Sequence, residues 1–179
     1  MSHDWIWGYL KGAAKRNPPA TTVAWSKAEA ALGEAPEEVR ALYSESDGAT
    51  LNGGVVLFPL LGEHSVLESS RSGAPAWVRR GAWRLGERGL FAARRRDLVV
   101  PARGDPPAWL GKVPQDAWVF FRAESKQRPR FYKTFDALLA SLVPPTEAEE
   151  FGEETYTRAL SSVEKAVAAI ASKKATGKR

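Results

Sequence analysis

The order of apolar and polar residues divides the chain into a helical opening, a strand-rich middle and a helical close. Trp5, Ile6, Tyr9 and Leu10 share one helical face. Ser2 is placed to cap that helix, and Asn17-Pro18-Pro19 stops it, because proline lacks the amide a helix needs to continue. A second helix is expected from about Val23 to Leu32, with Trp25, Ala28 and Leu32 on one face and Gly33 at a left-handed C-terminal cap. Pro36 suits the first turn of a third, where the helix dipole favours Glu37 and Glu38. Val39, Leu42, Tyr43 and Ser46 continue at helical spacing, and Asp47-Gly48 ends the element.

The middle of the chain changes period. Val55 to Leu61 is a short apolar run bounded by glycines, strand-like in its β-branched and aromatic content, with Pro59 marking an edge or a strand end. A short helical turn fits residues 65–72. Trp83-Arg84-Leu85, the turn Gly86–Gly89 and Leu90-Phe91-Ala92 read as a hairpin. Leu98–Val100 is a further strand candidate, and Arg103–Pro107 is a loop by composition. Trp118–Phe121 and Phe131-Tyr132 form the clearest strand pair, joined by a basic loop. Thr134 caps a helix carrying Phe135, Leu138, Leu139 and Leu142. Beyond Pro144-Pro145, Thr146 and Glu149 have capping-box spacing at the start of a last helix reaching about Ser172.

Helices, then an antiparallel-looking sheet, then helices describe an α+β fold with about four to six strands. The expected organisation is an N-terminal helical extension over 1–21, an α+β domain over 22–143, a C-terminal helix over 144–172 and a disordered basic tail over 173–179.

Composition narrows the chemistry. With 179 residues and 44 % apolar side chains, the chain can bury one substantial core. It contains no cysteine and two histidines, His3 and His64. Disulfides, thiolate metal sites and thiol nucleophiles are excluded, and a histidine-based zinc site nearly so. No segment approaches the ~20 apolar residues of a membrane span, and the first residues lack the pattern of a secretory signal, so a cytoplasmic location is expected. The net charge of +5 conceals a strong polarity. Residues 71–133 hold 15 basic and 5 acidic side chains, and 12 of those cations are arginine, whereas the flanking segments are mildly acidic.

Several segments together resemble the SUKH superfamily of Smi/Knr-like proteins. They are Trp25–Leu32 closed by Gly33, Pro36–Tyr43, the Asp47-Gly48 turn, and Leu57-Phe58-Pro59-Leu60. Trp83-Arg84-Leu85-Gly86 is similar to the family's strand-and-glycine segment, and Thr134–Leu139 to its closing helix. The resemblance covers roughly residues 22–143 and departs from the usual polar-Gly-Gly turn at Ala49. It implies an α+β domain that binds another protein, and in bacteria an immunity protein that neutralises a toxin. A nuclease inhibitor would carry an acidic surface, so the basic block points to a toxin with an acidic face instead.

No catalytic motif stands out, and no catalytic residue, cofactor or metal is expected. The adjacent pairs Glu37-Glu38 and Glu149-Glu150 read as solvated helix starts, and His64 as a loop histidine. The expected partner surface comprises Arg79, Arg80, Arg84, Arg94, Arg95 and Arg96, since arginine pairs bidentately with carboxylates. Trp5 and Trp7 join it as candidates, because they lie about 200° apart on a helix and one must face outward. Nucleic-acid binding is the alternative, with Trp77, Trp83 and Phe91 as stacking surfaces among the arginines. An enzyme of unfamiliar type is the third.

Overall fold

Strands pair with their sequence neighbours all the way across the sheet. The computed structural model describes residues 3–143 apart from 73, 80, 125 and 126. It holds seven antiparallel strands in the order of the chain: β1 (Lys15–Arg16), β2 (Ala49–Thr50), β3 (Val56–Leu57), β4 (Trp83–Gly86), β5 (Leu90–Arg94), β6 (Trp118–Arg122) and β7 (Arg130–Tyr132). Five helices accompany them among the described residues: α1 (Trp5–Leu10), α2 (Thr22–Leu32), α3 (Glu37–Tyr43), α4 (Val66–Ser72) and α5 (Phe135–Ala140). The fold is α+β, as the sequence pattern predicts, with more strands than expected.

Alternation along β4, β5 and β6 sorts their side chains into two cores. Trp83, Leu85, Leu90, Ala92 and Phe120 point to one face and meet residues from all five helices, among them Leu10, Trp25, Leu42, Val66 and Phe135. Phe91, Ala93, Val119, Phe121 and Phe131 point to the other face. There they meet Val78, Ala82, Leu98 and Leu110, which come from irregular chain and 3-10 turns rather than from helices. Phe91 and Phe121, partners in the β5–β6 register, stack with their planes 10° apart. Both faces of the central strands are therefore dry, which explains why β5 and β6 carry unbroken apolar runs.

Three expectations are corrected. The first helix ends at Leu10 and does not reach Asn17. Past the glycine at position 12, the Ala14 amide donates to the Thr50 carbonyl at 2.8 Å and Lys15–Arg16 pairs with β2. Residues 3–16 are thus part of the sheet and its core rather than an extension. The Val55–Leu61 run is a strand only over Val56–Leu57. Pro59 has no amide to give, and the Leu60 amide is claimed by the Asp47 carboxylate at 2.9 Å. Leu98–Val100 forms a single bridge to Val78 instead of a strand, and Val99 is exposed. The Ser2 cap, the helix over 144–172 and the tail lie outside the described residues.

The turn after α3 ties the N-terminal segment and the chain after β3 to the end of that helix. The Asp47 amide donates to the Pro18 carbonyl at 2.9 Å, and Asn17 Nδ2 donates to the Asp47 carbonyl at 2.7 Å. The buried Ser46 hydroxyl donates to Gly48 O and accepts from the Asn17 amide. Gly48 has φ 82°, and a Cβ there would stand 2.7 Å from Pro59 N, so glycine is required twice over. Beside it, the fully buried Tyr43 hydroxyl donates to the Phe58 carbonyl at 2.6 Å, and burial holds its pKa well above the usual phenol value. Leaving such a buried acceptor unpaired costs about 1–3 kcal/mol.

The β4–β5 turn places two consecutive residues at positive φ, Arg88 at 67° and Gly89 at 64°. Such turns favour Asn-Gly, because asparagine tolerates the left-handed region better than arginine. Arg88→Asn is therefore expected to stabilise the protein by about 0.5–1 kcal/mol. Urea unfolding checks this, and an unchanged or lower midpoint would contradict the strain assigned to Arg88.

Candidate functional site

The arginine-rich block does not form one surface. Arg95 faces its own loops: Nε donates to the Leu110 carbonyl at 2.9 Å and Nη1 to the Leu98 carbonyl at 3.1 Å. It is half-buried and holds the irregular cover over the second core, so its guanidinium is engaged within the chain. Arg84 lies with its guanidinium 5.7 Å from the Phe91 ring centroid, and its half-buried side chain covers that ring. It too belongs to the packing. Arg80 lies outside the described residues. Arg79 and Arg96 are exposed. The Arg79 amide donates to the Asp97 carbonyl at 2.7 Å, which sets Arg79 beside the 96–97 turn.

Arg94 is the organised member of the set. It ends β5 directly opposite Trp118 at the start of β6. Its guanidinium stacks 4.6 Å from the Trp118 ring centroid, and Nη1 donates to the Asp116 carbonyl at 2.6 Å. Nη2 meets Glu34 Oε1 at 3.3 Å. The Arg94 side chain is 23 % exposed and that of Glu34 is 77 % exposed. A pair so open to water contributes at most about 1 kcal/mol. Around it lies a polar groove of about 470 Å³, walled by the carboxyl end of α2 at Leu32–Glu34, by Gly81 and Asp97, and by Arg94, Arg96 and Trp118. The last turn of α2 carries no basic residue of its own. Arg94 at the end of β5 and Arg96 just beyond it supply the positive charge that the helix C-terminus favours.

The two N-terminal tryptophans part company as their angular separation requires. Trp5 is half-buried and packs edge-on against Phe135 and Tyr9, with centroids 5.9 and 6.2 Å away, so it joins α1 to α5. Trp7 is 43 % exposed, with the Arg16 guanidinium 5.7 Å from its ring centroid. It lines a second groove of about 510 Å³ between α1 and α3, along with His3, Glu37, Arg40 and Glu45. The two grooves share no lining residue, so Trp7 and the arginines are separate features.

Behind this second groove, titratable side chains are engaged in joining helices. The Tyr9 hydroxyl donates to Asp136 Oδ1 at 2.6 Å, and burial, then the Asp136 carboxylate, pushes its pKa up. Glu38 accepts the Phe135 amide at the start of α5. Burial raises the Glu38 pKa, against the opposing effect of that amide. His64 is exposed. Among the described residues, no group of three or more His, Asp or Glu side chains is arranged to hold a metal ion.

Trp83 and Phe91 are buried, and half-buried Trp77 packs on Phe121 and Phe131. Glu34 and Trp118, by contrast, were not foreseen as site residues. The register that sets Trp118 against Arg94 is a long-range property, and only the recurrence of tryptophan at a strand start hints at it. No protein-family model, curated protein or solved structure matches the chain. Among the described residues no helix is long and apolar enough to cross a membrane.

The raised Glu38 pKa has a consequence for stability. The native state binds a proton more readily than the unfolded chain, so this group's contribution is fully present below the usual carboxylate pKa. It is lost as pH rises through the native value. Glu38→Gln keeps an oxygen for the Phe135 amide and removes the half-buried charge. It is expected to raise Tm at about pH 7, with the gain shrinking towards about pH 4. A gain independent of pH, or a loss at neutral pH, would contradict the assignment.

Proposed function

We propose that the chain is a SUKH-like, non-enzymatic protein-binding module, and specifically a cytoplasmic immunity protein that neutralises a cognate bacterial toxin by stoichiometric occlusion. The observation that carries the binding role is Arg94, a guanidinium fixed by a tryptophan face and a backbone carbonyl at the wall of an open polar groove. Cations held in this way meet a partner with little further ordering, which is where arginine anchors gain their advantage. Exposed Arg96 and Arg79 extend the positive surface towards an acidic partner.

The toxin-neutralising role rests on the resemblance of residues 22–143, and the antiparallel sheet with helices on one face is compatible with it. Nucleic acid is the weaker candidate. The groove mixes Glu34 and Asp97 with its arginines, and carboxylates repel a continuous phosphate backbone.

Co-expression with the product of a neighbouring gene tests the proposal. That product is expected to be toxic alone and harmless with this chain. Arg96→Glu, at an exposed site in the groove, is expected to abolish protection. Arg88→Glu, at the far end of β5, is expected to preserve it. A neighbour that is harmless alone, or equally lethal with and without this chain, removes the immunity role. Equal protection by both variants removes the groove as its surface.

A further inference from the structure

We infer that the Arg94 position of the groove takes a single aspartate or glutamate side chain of the partner, and that Glu34 is the chain's own placeholder for that carboxylate. This inference rests on the proposal that the groove is a protein-binding surface.

The cation and the anion of the Arg94–Glu34 pair are held very differently. Arg94 has one face on Trp118 and Nη1 on the Asp116 carbonyl, so its plane and its direction are set. Nη2 is left for the groove, where Glu34 reaches it at 3.3 Å. Glu34 has no comparable restraint. It follows Gly33, whose φ of 90° turns the chain out of α2, and its own side chain stands 77 % exposed. The loop is anchored one residue later, where the Ala35 amide donates to Glu29 Oε2 at 3.0 Å. Glu29 in turn is held by Arg40. The Glu34 carboxylate can therefore leave Arg94 without unseating the α2–α3 connection.

A guanidinium whose position is fixed and whose partner is exposed and tethered by one bond is prepared for exchange. In the free protein Glu34 keeps Arg94 paired. On binding, a partner carboxylate takes Nη2 and Glu34 turns to solvent. Arg96, exposed and without an ion pair among the described residues, is the second cation available to the incoming group. The chemistry selects a carboxylate over a phosphodiester chain. Asp97 stands in the same wall, so one localised anion is accommodated between two arginines while a run of phosphates is opposed.

An acetylated peptide amide with a single glutamate among glycines, and hexathymidylate, are suitable probes, read by NMR at the arginine Nε and tryptophan indole signals of the full chain. The peptide is expected to move the Arg94 and Trp118 signals saturably. Glu34→Gln, on an exposed loop, is expected to bind it about two- to fivefold more tightly, the range set by removing an exposed ion pair. Arg94→Lys keeps the charge, loses the planar fork, and is expected to bind about tenfold more weakly. If Arg96→Glu abolishes peptide binding while Glu34→Gln leaves affinity unchanged or lower, the placeholder role is wrong and the binding surface stands. If hexathymidylate moves the same signals with equal or greater affinity, the selection of carboxylate is overturned. If neither probe moves them, inference and surface both fall.

Discussion

The structure depends first on one short polar turn. Ser46, Asp47 and Gly48 lie where the N-terminal segment, the end of α3 and the β3 strand converge, and the Ser46 and Asp47 side chains make bonds that no apolar residue could make. The turn is enclosed, so its carbonyls and amides have little water to fall back on and must find one another. Gly48 permits the backbone of Leu57–Pro59 to pass within van der Waals distance. Asp47 then reaches across to the Leu60 amide, and burial of its carboxylate raises its pKa. With this turn in place, β2 and β3 start in register and β1 can add at the edge.

That turn also explains which parts of the fold were legible. Helices α2, α3 and α5 were readable from local chemistry alone. Thr21 and Thr134 accept the capping amides of Ala24 and Ala137, and Gly33 closes α2 at positive φ. The hairpin β4–β5 was equally local. The two-residue strands β1 and β2 were not. Lys15–Arg16 has no β-favouring pattern, and it pairs only because Asn17 and Pro18 are fastened to the Ser46–Asp47 turn. A tertiary bond decides the matter, and local propensity has no access to it.

The same division runs through the site. Charge counting located the basic block but could not say which cations were free. Arg95 and Arg84 read as surface charges in the sequence and are engaged with carbonyls and an aromatic ring in the fold. Arg94 differs from them only in what the strand register sets opposite it. The useful information lay in Trp118, which composition records as one more core aromatic, and in Glu34, which belongs to the acidic part of the chain.

The two cores also differ in how their lids are made. The helical side is a network in which α1, α3 and α5 fasten one another through Trp5, Tyr9 and Glu38, so a change in one is felt by the others. Phe91, Phe121 and Phe131 are roofed by irregular chain carrying short 3-10 turns, pinned by Arg95. Backbone of that kind tolerates insertion and replacement far better than a packed helix does. Arg96 and Asp97 of the groove are set at the start of this roof. The molecule therefore keeps its foundation under one sheet face and its most rewritable stretch over the other, an arrangement in which the irregular cover can change its sequence while the sheet and its helices stay as they are.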